Sequence, residues 1–180
     1  MMNRIIVRTV CILATLAVTT AYAWDPAEME ERHAKAEEAK AEMLEKDPDM
    51  QRFFDSAAAY VIIPTVGKAG VGIGGARGKG LLYEGGDITA EVTLTQLTVG
   101  FQWGGQAYSE FIFFEDDTAL NHFKQGNYEL GAQVSAVAVT AGASADASYS
   151  DGVAIFTQAK GGLMYEASIG GQKFKVEMKD

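Results

Sequence analysis

Residues 66–80 read VGKAGVGIGGARGKG, with seven glycines in fifteen positions, and the reading of this segment decides the fold. Gly70, Gly72 and Gly75 satisfy G-x-G-x-x-G, a pattern that cradles a pyrophosphate only between a strand and the N-terminus of a helix. The residues that follow, RGKGLLYEGG at 77–86, have no helical period, which argues against a dinucleotide site. A phosphate loop fails on its own terms. Gly78 and Lys79 are followed by Gly80 rather than Ser or Thr, and Ile73 stands where the motif needs its first glycine.

A second regularity is more informative. Gly70, Gly72, Gly74, Ala76, Gly78 and Gly80 are spaced by two, while Val71, Ile73, Gly75, Arg77, Lys79 and Leu81 hold the other parity. Successive side chains of an extended segment point to opposite faces, so one face of this strand is almost bare. Glycine is costly inside a strand, and a bare face implies that something approaches the backbone closely. Two occupants fit: a large side chain of the same protein, such as Phe53, Phe54 or Trp103, or a bound apolar ligand or lipid chain. Arg77 and Lys79, with Lys68 nearby, supply cations at one end.

The flanking sequence extends the β reading. YVII ends at Pro64, GLLYE turns at Gly85, Gly86 and Asp87, and ITAEVTL alternates with Ile88, Ala90, Val92 and Leu94 on one face. The alternation resumes with Leu97, Val99, Phe101 and Trp103 on the odd parity, which predicts a bulge or bend near Gln96. YSEFIFF is a further strand. EDDTALNHFKQG reads as a short helix capped by Asp116 or Asp117 and closed by Gly126, and glycine-punctuated strands fill the remainder. Ahead of the strands, residues 25–46 form an exposed helix rich in Ala, Glu and Lys, held by pairs such as Glu31 to Lys35 and Glu42 to Lys46. Asp47 and Pro48 read as the N-cap and first position of a second helix, with Met50, Phe53, Phe54, Ala57 and Ala58 as its core stripe. The fold expected is α+β: a mainly antiparallel, curled or barrel-like sheet with N-terminal helices and one inserted short helix.

The N-terminus carries the marks of export. Arg4 and Arg8 precede the apolar run TVCILATLAVTT and the small residues of AYA, a signal peptide over residues 1–23 with cleavage before Trp24. The expected division is then 1–23 signal, 24–47 charged helix and 48–180 domain, in a periplasmic or secreted protein. Cys11 leaves with the signal, so no disulfide supports the mature chain and its stability rests on a core. The net charge of -9 becomes more acidic once Arg4 and Arg8 are lost. An acidic chain of this kind is a poor match for nucleic acid.

Four segments, in order, resemble the SYLF domain family. AAAYVIIPTVGKAGVGIGGARGKGLLYEGG at 57–86 is similar to the family's opening, an alanine-rich helix end, an apolar strand, a proline, then K-A-G and G-x-G. LTVGFQWGGQAYSEFIFF at 97–114 resembles its S-x-G-x-Q-x-G segment, and DTALNHFKQGNYELGAQVSAVA at 117–138 its short helix followed by L-G-x-x-x-S. KGGLMYEASIGGQKF at 160–174 resembles its closing segment. The resemblance implies non-enzymatic binding of anionic phospholipids or a membrane surface, with actin binding in some members. By position it assigns Lys68, Arg77 and Lys79, beside Gly70, Gly72 and Gly74, as candidate lipid contacts. The chain departs from the family in its Glu-dominated N-terminal helix and in TAGASADAS at 140–148, where members often carry G-P-x-G-R.

No other chemistry competes in the sequence. His33 and His122 are the two histidines, too few for a zinc site, and no G-x-S-x-G elbow accompanies them. Glu115, Asp116 and Asp117 sit where a helix begins and lack the alternation of a calcium loop, and Glu84, Asp87 and Glu91 read as solvated turn residues. No catalytic set, cofactor or metal is expected. A second reading is a structural protein of the envelope that binds a protein partner through the acidic helix at 25–46.

Overall fold

A computed structural model describes residues 25–100, 106–126, 128–131, 135–161 and 169–179, without the side chains at 70–73 and 98–100. The signal peptide, Trp24, Phe101 and Trp103 lie outside the described residues. In chain order the elements are α1 (Pro26–Lys46), a 3-10 turn (Pro48–Met50), α2 (Gln51–Ser56), β1 (Ala59–Glu84), β2 (Asp87–Gly100), β3 (Gln106–Phe114), α3 (Asp117–Lys124), β4 (Tyr128–Glu129), β5 (Val137–Ala138), β6 (Val153–Ala159) and β7 (Gln172–Met178). The strands form a sheet of order β4-β7-β2-β1-β3-β6-β5, antiparallel except for β5 with β6. This is the expected α+β fold, with the sheet curled into a half-barrel.

β1 organises the sheet. Its C-terminal part, Gly72 to Glu84, pairs with β2 across the Gly85–Gly86 turn, whose φ angles of 60° and 94° need glycine. Its N-terminal part, Ala59 to Lys68, pairs with β3. Pro64 does not end the strand as expected. It sits in a break of register between Ile63 and Val66, a position where a residue without an N–H is tolerated, and the Ser109 hydroxyl donates to its carbonyl at 2.9 Å. The break changes parity. Val61 and Ile63 face the inside of the curl before it, and Val66, Ala76 and Leu82 after it.

That shift decides what meets the glycine face. A Cβ on Gly78 would lie 2.7 Å from Ile63 Cγ2 and 2.9 Å from Val66 Cγ2, and one on Gly80 would collide with the Ile62 carbonyl and sit 2.9 Å from Ile63 Cα. β1 therefore doubles back so that Gly78 and Gly80 rest on its own N-terminal half. The expected close approach is real at Gly78 and Gly80, but its source is the side chains and backbone of the strand's own N-terminal half rather than Phe53 or Phe54. Those two rings instead pack outside the sheet, Phe53 on Phe113 and Phe156 and Phe54 on Tyr60 and Phe113.

The bulge expected near Gln96 is absent. β2 holds unbroken register with β1 from Ala90 to Gly100 and with β7 from Ala90 to Gln96. A strand laddered on both edges would lose hydrogen bonds on each to accommodate an extra residue. The parity slip appears in the side chains instead: Gln96 turns inward and Leu97 outward, 75% exposed.

The sheet has two cores. Inside the curl, Val61, Ile63, Val92, Leu94, Ile112, Phe114 and Phe174 pack with Leu120 and Phe123 of α3, which Asp116 caps through Ala119 N at 2.9 Å. Outside it, Ile62, Leu81, Tyr83, Phe111, Phe113 and Phe156 are covered by α1 and α2. α1 docks through Ala36, Ala39 and Met43, since two small side chains let the helix lie close on the sheet. Its Glu31–Lys35 pair is present at 2.6 Å, while Glu42 accepts from Gln158 at 3.2 Å instead of pairing with Lys46. Asp47 and Pro48 do stand at the N-cap and first position of the 3-10 turn that runs into α2, but the Asp47 side chain makes no capping bond there. Its carboxylate, 1% exposed, accepts from Ser144 N at 2.8 Å, and Arg52 donates to the Ser144 carbonyl, so the corner between α1 and α2 holds the 140–147 turn.

Candidate functional site

The structure divides the three predicted cations. Residues directly opposite across an antiparallel ladder share a face, which gives two outward rows: Arg77, Thr95 and Lys173, then Lys79, Thr93 and Lys175. Leu97, opposite Gly75, stands at the end of this face. Toward α1 the next row holds Glu91 and Glu177. Lys79 pairs with Glu91 at 3.0 Å, Lys175 with Glu177 at 2.7 Å and Lys173 with Glu129 at 3.3 Å. Arg32 of α1 also binds Glu91, fixing the first half of the helix beside the rows. Arg77, exposed, has no ion pair among the described residues.

Lys68 is elsewhere. The parity change at Pro64 turns it into the curl, 7% exposed, where burial lowers its pKa. Gly70, Gly72 and Gly74 share that inward parity on β1, with Gly72 opposite Gly100 and Gly74 opposite Thr98. Lys68 therefore does not join Arg77 and Lys79 on one surface.

Sequence reasoning missed Lys173 and Lys175, although QKFKVEM carries the signal: the lysines alternate with Phe174, which is buried. It also missed an interior polar group. Gln172 Nε2 donates to Glu110 Oε2 at 2.9 Å and to the Tyr108 hydroxyl at 3.2 Å, and Gln96 Nε2 donates to the Gly170 carbonyl at 3.0 Å. Glu110 and Gln172 are fully buried, and an oxygen of each, Oε1, has no hydrogen-bond partner among the described residues. Burial pushes the Glu110 carboxyl up to about 8, against the opposing pull of hydrogen bonds from Gln172 and Tyr108.

The two histidines each meet a tyrosine, His33 Nδ1 at 3.1 Å from the Tyr83 hydroxyl and His122 edge-on to Tyr128. Glu84 is engaged by Thr89 and Lys124 rather than left in a turn. No described helix is long and apolar enough to cross a membrane.

Residues 95–179 match the family model described as Ysc84, Las17-binding protein actin regulator, the SYLF-type domain. The chain is similar to Beta cell expansion factor A of Aeromonas veronii, 26% identical over 153 residues, a span that takes in 79% of this chain and 54% of the relative. The chain thus spans about half the length of that curated relative. The order of motifs along β1 to β7, together with the match from β2 through β7, shows that this chain resembles the SYLF (Ysc84) family.

Proposed function

We propose that the protein binds phospholipid membranes of the bacterial envelope through the outward face of β1, β2 and β7, without catalysis. Similarity to the SYLF family supports a lipid- or actin-related binding role in general. The observation that carries the finer reading is Leu97, a large apolar side chain 75% exposed in a well-paired strand, beside Arg77, which has no ion pair among the described residues. An apolar tip flanked by cations suits the membrane interface, where the tip enters the acyl boundary and the cations meet phosphates. The ion pairs of Lys79, Lys173 and Lys175 are exposed on the lysine side and weak, so phosphate can replace their carboxylates.

The site is local, because the chain as a whole is acidic and is repelled by an anionic surface at long range. Burying a leucine contributes about 2 kcal/mol, or roughly 30-fold in affinity. Co-sedimentation with vesicles of phosphatidylglycerol and phosphatidylethanolamine tests the reading. Leu97→Glu is expected to abolish pelleting and Arg77→Glu to weaken it several-fold. Undiminished pelleting of both variants would remove this face from the mechanism. Residence in the periplasm, after cleavage before Trp24, is part of the proposal and is checked by N-terminal sequencing of protein from the periplasmic fraction.

A second reading rests on α1, whose outer side exposes Glu28, Glu30, Glu31, Glu37, Glu38 and Glu45. This surface fits a basic protein partner. Charge reversal of Glu30 and Glu38 would then remove a co-purifying partner while leaving vesicle binding intact.

A further inference from the structure

β3 and β7 are not neighbours in the sheet, since β1 and β2 stand between them. Yet Gln172 of β7 reaches Glu110 and Tyr108 of β3 through the inside of the curl. The surrounding inner face is apolar, with Ile63 opposite Glu110 in β1, Ile112 two residues along β3 and Phe174 two residues along β7. This polar tie joins two separated strands across the interior, and one of its members is a carboxyl group with no counter-charge among the described residues. An ionised carboxylate in such a place is costly, and proton uptake is the ordinary way out.

Among the described residues, the groups that face Glu110 offer it no opposite charge. From β2 comes Gln96, from β6 Thr157, which is opposite Glu110 in register, and from β7 Gln172, all uncharged. On its own strand the neighbouring titratable group is Tyr108, whose hydroxyl donates to the carboxylate. Lys68 lies further along the inner row of β1, opposite Gln106, and makes no ion pair with Glu110. Of the charged residues of α3, Asp117 is exposed in the first turn and Lys124 is engaged by Glu84 at 2.9 Å.

We propose that Glu110 is a proton-operated latch of the half-barrel: as the neutral acid it lets the β3–β7 tie through Gln172 stand in a dry interior, and loss of the proton draws water into the curl, which loosens the packing around that tie. The orphan oxygens fit this role. A proton on Glu110 Oε1 turns an unpaired acceptor into a donor, and the Oε1 of Gln172, whose amide is already bonded to the same carboxyl, is an acceptor in need of one. The ionised form would leave two acceptors facing an apolar interior, so water must enter to satisfy them. Because burial raises the folded-state pKa above the value in the unfolded chain, the folded protein binds the proton more tightly. Stability contributed by this group is complete below the unfolded carboxylate range and is lost as pH rises toward about 8.

Urea unfolding of the purified chain between pH 5 and pH 9, beside Glu110→Gln, tests the latch. The unfolding equilibrium constant of the unaltered protein is expected to rise by up to about tenfold per pH unit up to roughly pH 8, and the variant is expected to lack that component. Identical pH profiles overturn the proposal. If the variant does not fold, infrared difference spectra of the unaltered protein decide: the carbonyl band of a buried protonated carboxyl must be present at pH 7 and vanish by about pH 9–10, as expected for a group titrating near 8. Hydrogen exchange at Gln172 to Phe174 must accelerate over the same range by more than its intrinsic base dependence. Absence of the band at pH 7, or unchanged protection of β7, overturns it.

Discussion

Gly80 rests on the backbone of Ile63, so that a Cβ at position 80 would stand 2.9 Å from the Ile63 Cα. Main chain cannot yield as a flexible side-chain end can. Gly80→Ala is expected to cost about 3 kcal/mol or more, because the two halves of β1 must separate to admit a methyl group. Gly67, exposed in the same strand with open space where its Cβ would be, makes the control. Gly67→Ala is expected to be neutral or to add about 0.5 kcal/mol, read from urea midpoints of the two variants.

The outer core has its own keystone. Phe53 meets Phe156 at 4.8 Å, Phe113 at 5.4 Å and Tyr149 at 5.7 Å between ring centroids. Phe53→Ala is expected to lose about 3–5 kcal/mol and to free α2 from the sheet. Near-ultraviolet circular dichroism should show the aromatic cluster loosening before the strands unfold.

Asp47 gives a pH dependence of the opposite sign to Glu110. Burial alone would raise its carboxyl, but hydrogen bonds led by the Ser144 amide outweigh that and hold the pKa below the usual value. A depressed folded pKa contributes stability that is present above about pH 4 and is lost as pH falls through the folded value. Asp47→Asn is expected to cost about 1–3 kcal/mol at neutral pH and to flatten the acid limb of an unfolding curve.

Lys173 and Lys175 extend the proposed membrane face to β7. Each basic residue at a membrane surface contributes about 1 kcal/mol, so reversing either to Glu should weaken vesicle binding roughly fivefold at low salt. At 1 M salt the difference between the variants and the unaltered protein should nearly vanish, while the Leu97 effect remains. Equal salt responses for all of them would remove electrostatics from the mechanism.

Much of the fold was legible in the residues. The cap at Asp116, the turn at Gly85 and Gly86 and the alternation from Ile88 to Leu94 act within a few residues of themselves, and local rules read them correctly. The bare face of β1 was also legible as a demand for close approach. Its partner was not, since that depends on the parity change at Pro64, which sends Ile63 and Val66 to the same face as Gly78 and Gly80. One misplaced irregularity explains several departures: with the break at Pro64 instead of Gln96, Lys68 turns inward and Leu97 outward. Glu110 went unnoticed because YSEFIFF looks apolar on both faces. A lone carboxylate in such a run was itself the clue, as the strand has no solvated side on which to place it.

Phe111 and Ile112 are adjacent in the chain but belong to different cores, the first under the helices and the second inside the curl. With a full sheet between them, substitutions at the two sites should combine with little energetic coupling, and double-mutant cycles would measure how little. Each side is then free to be repacked while the other is held constant. A protein engineered to carry new chemistry in its curl could leave its helical cover untouched.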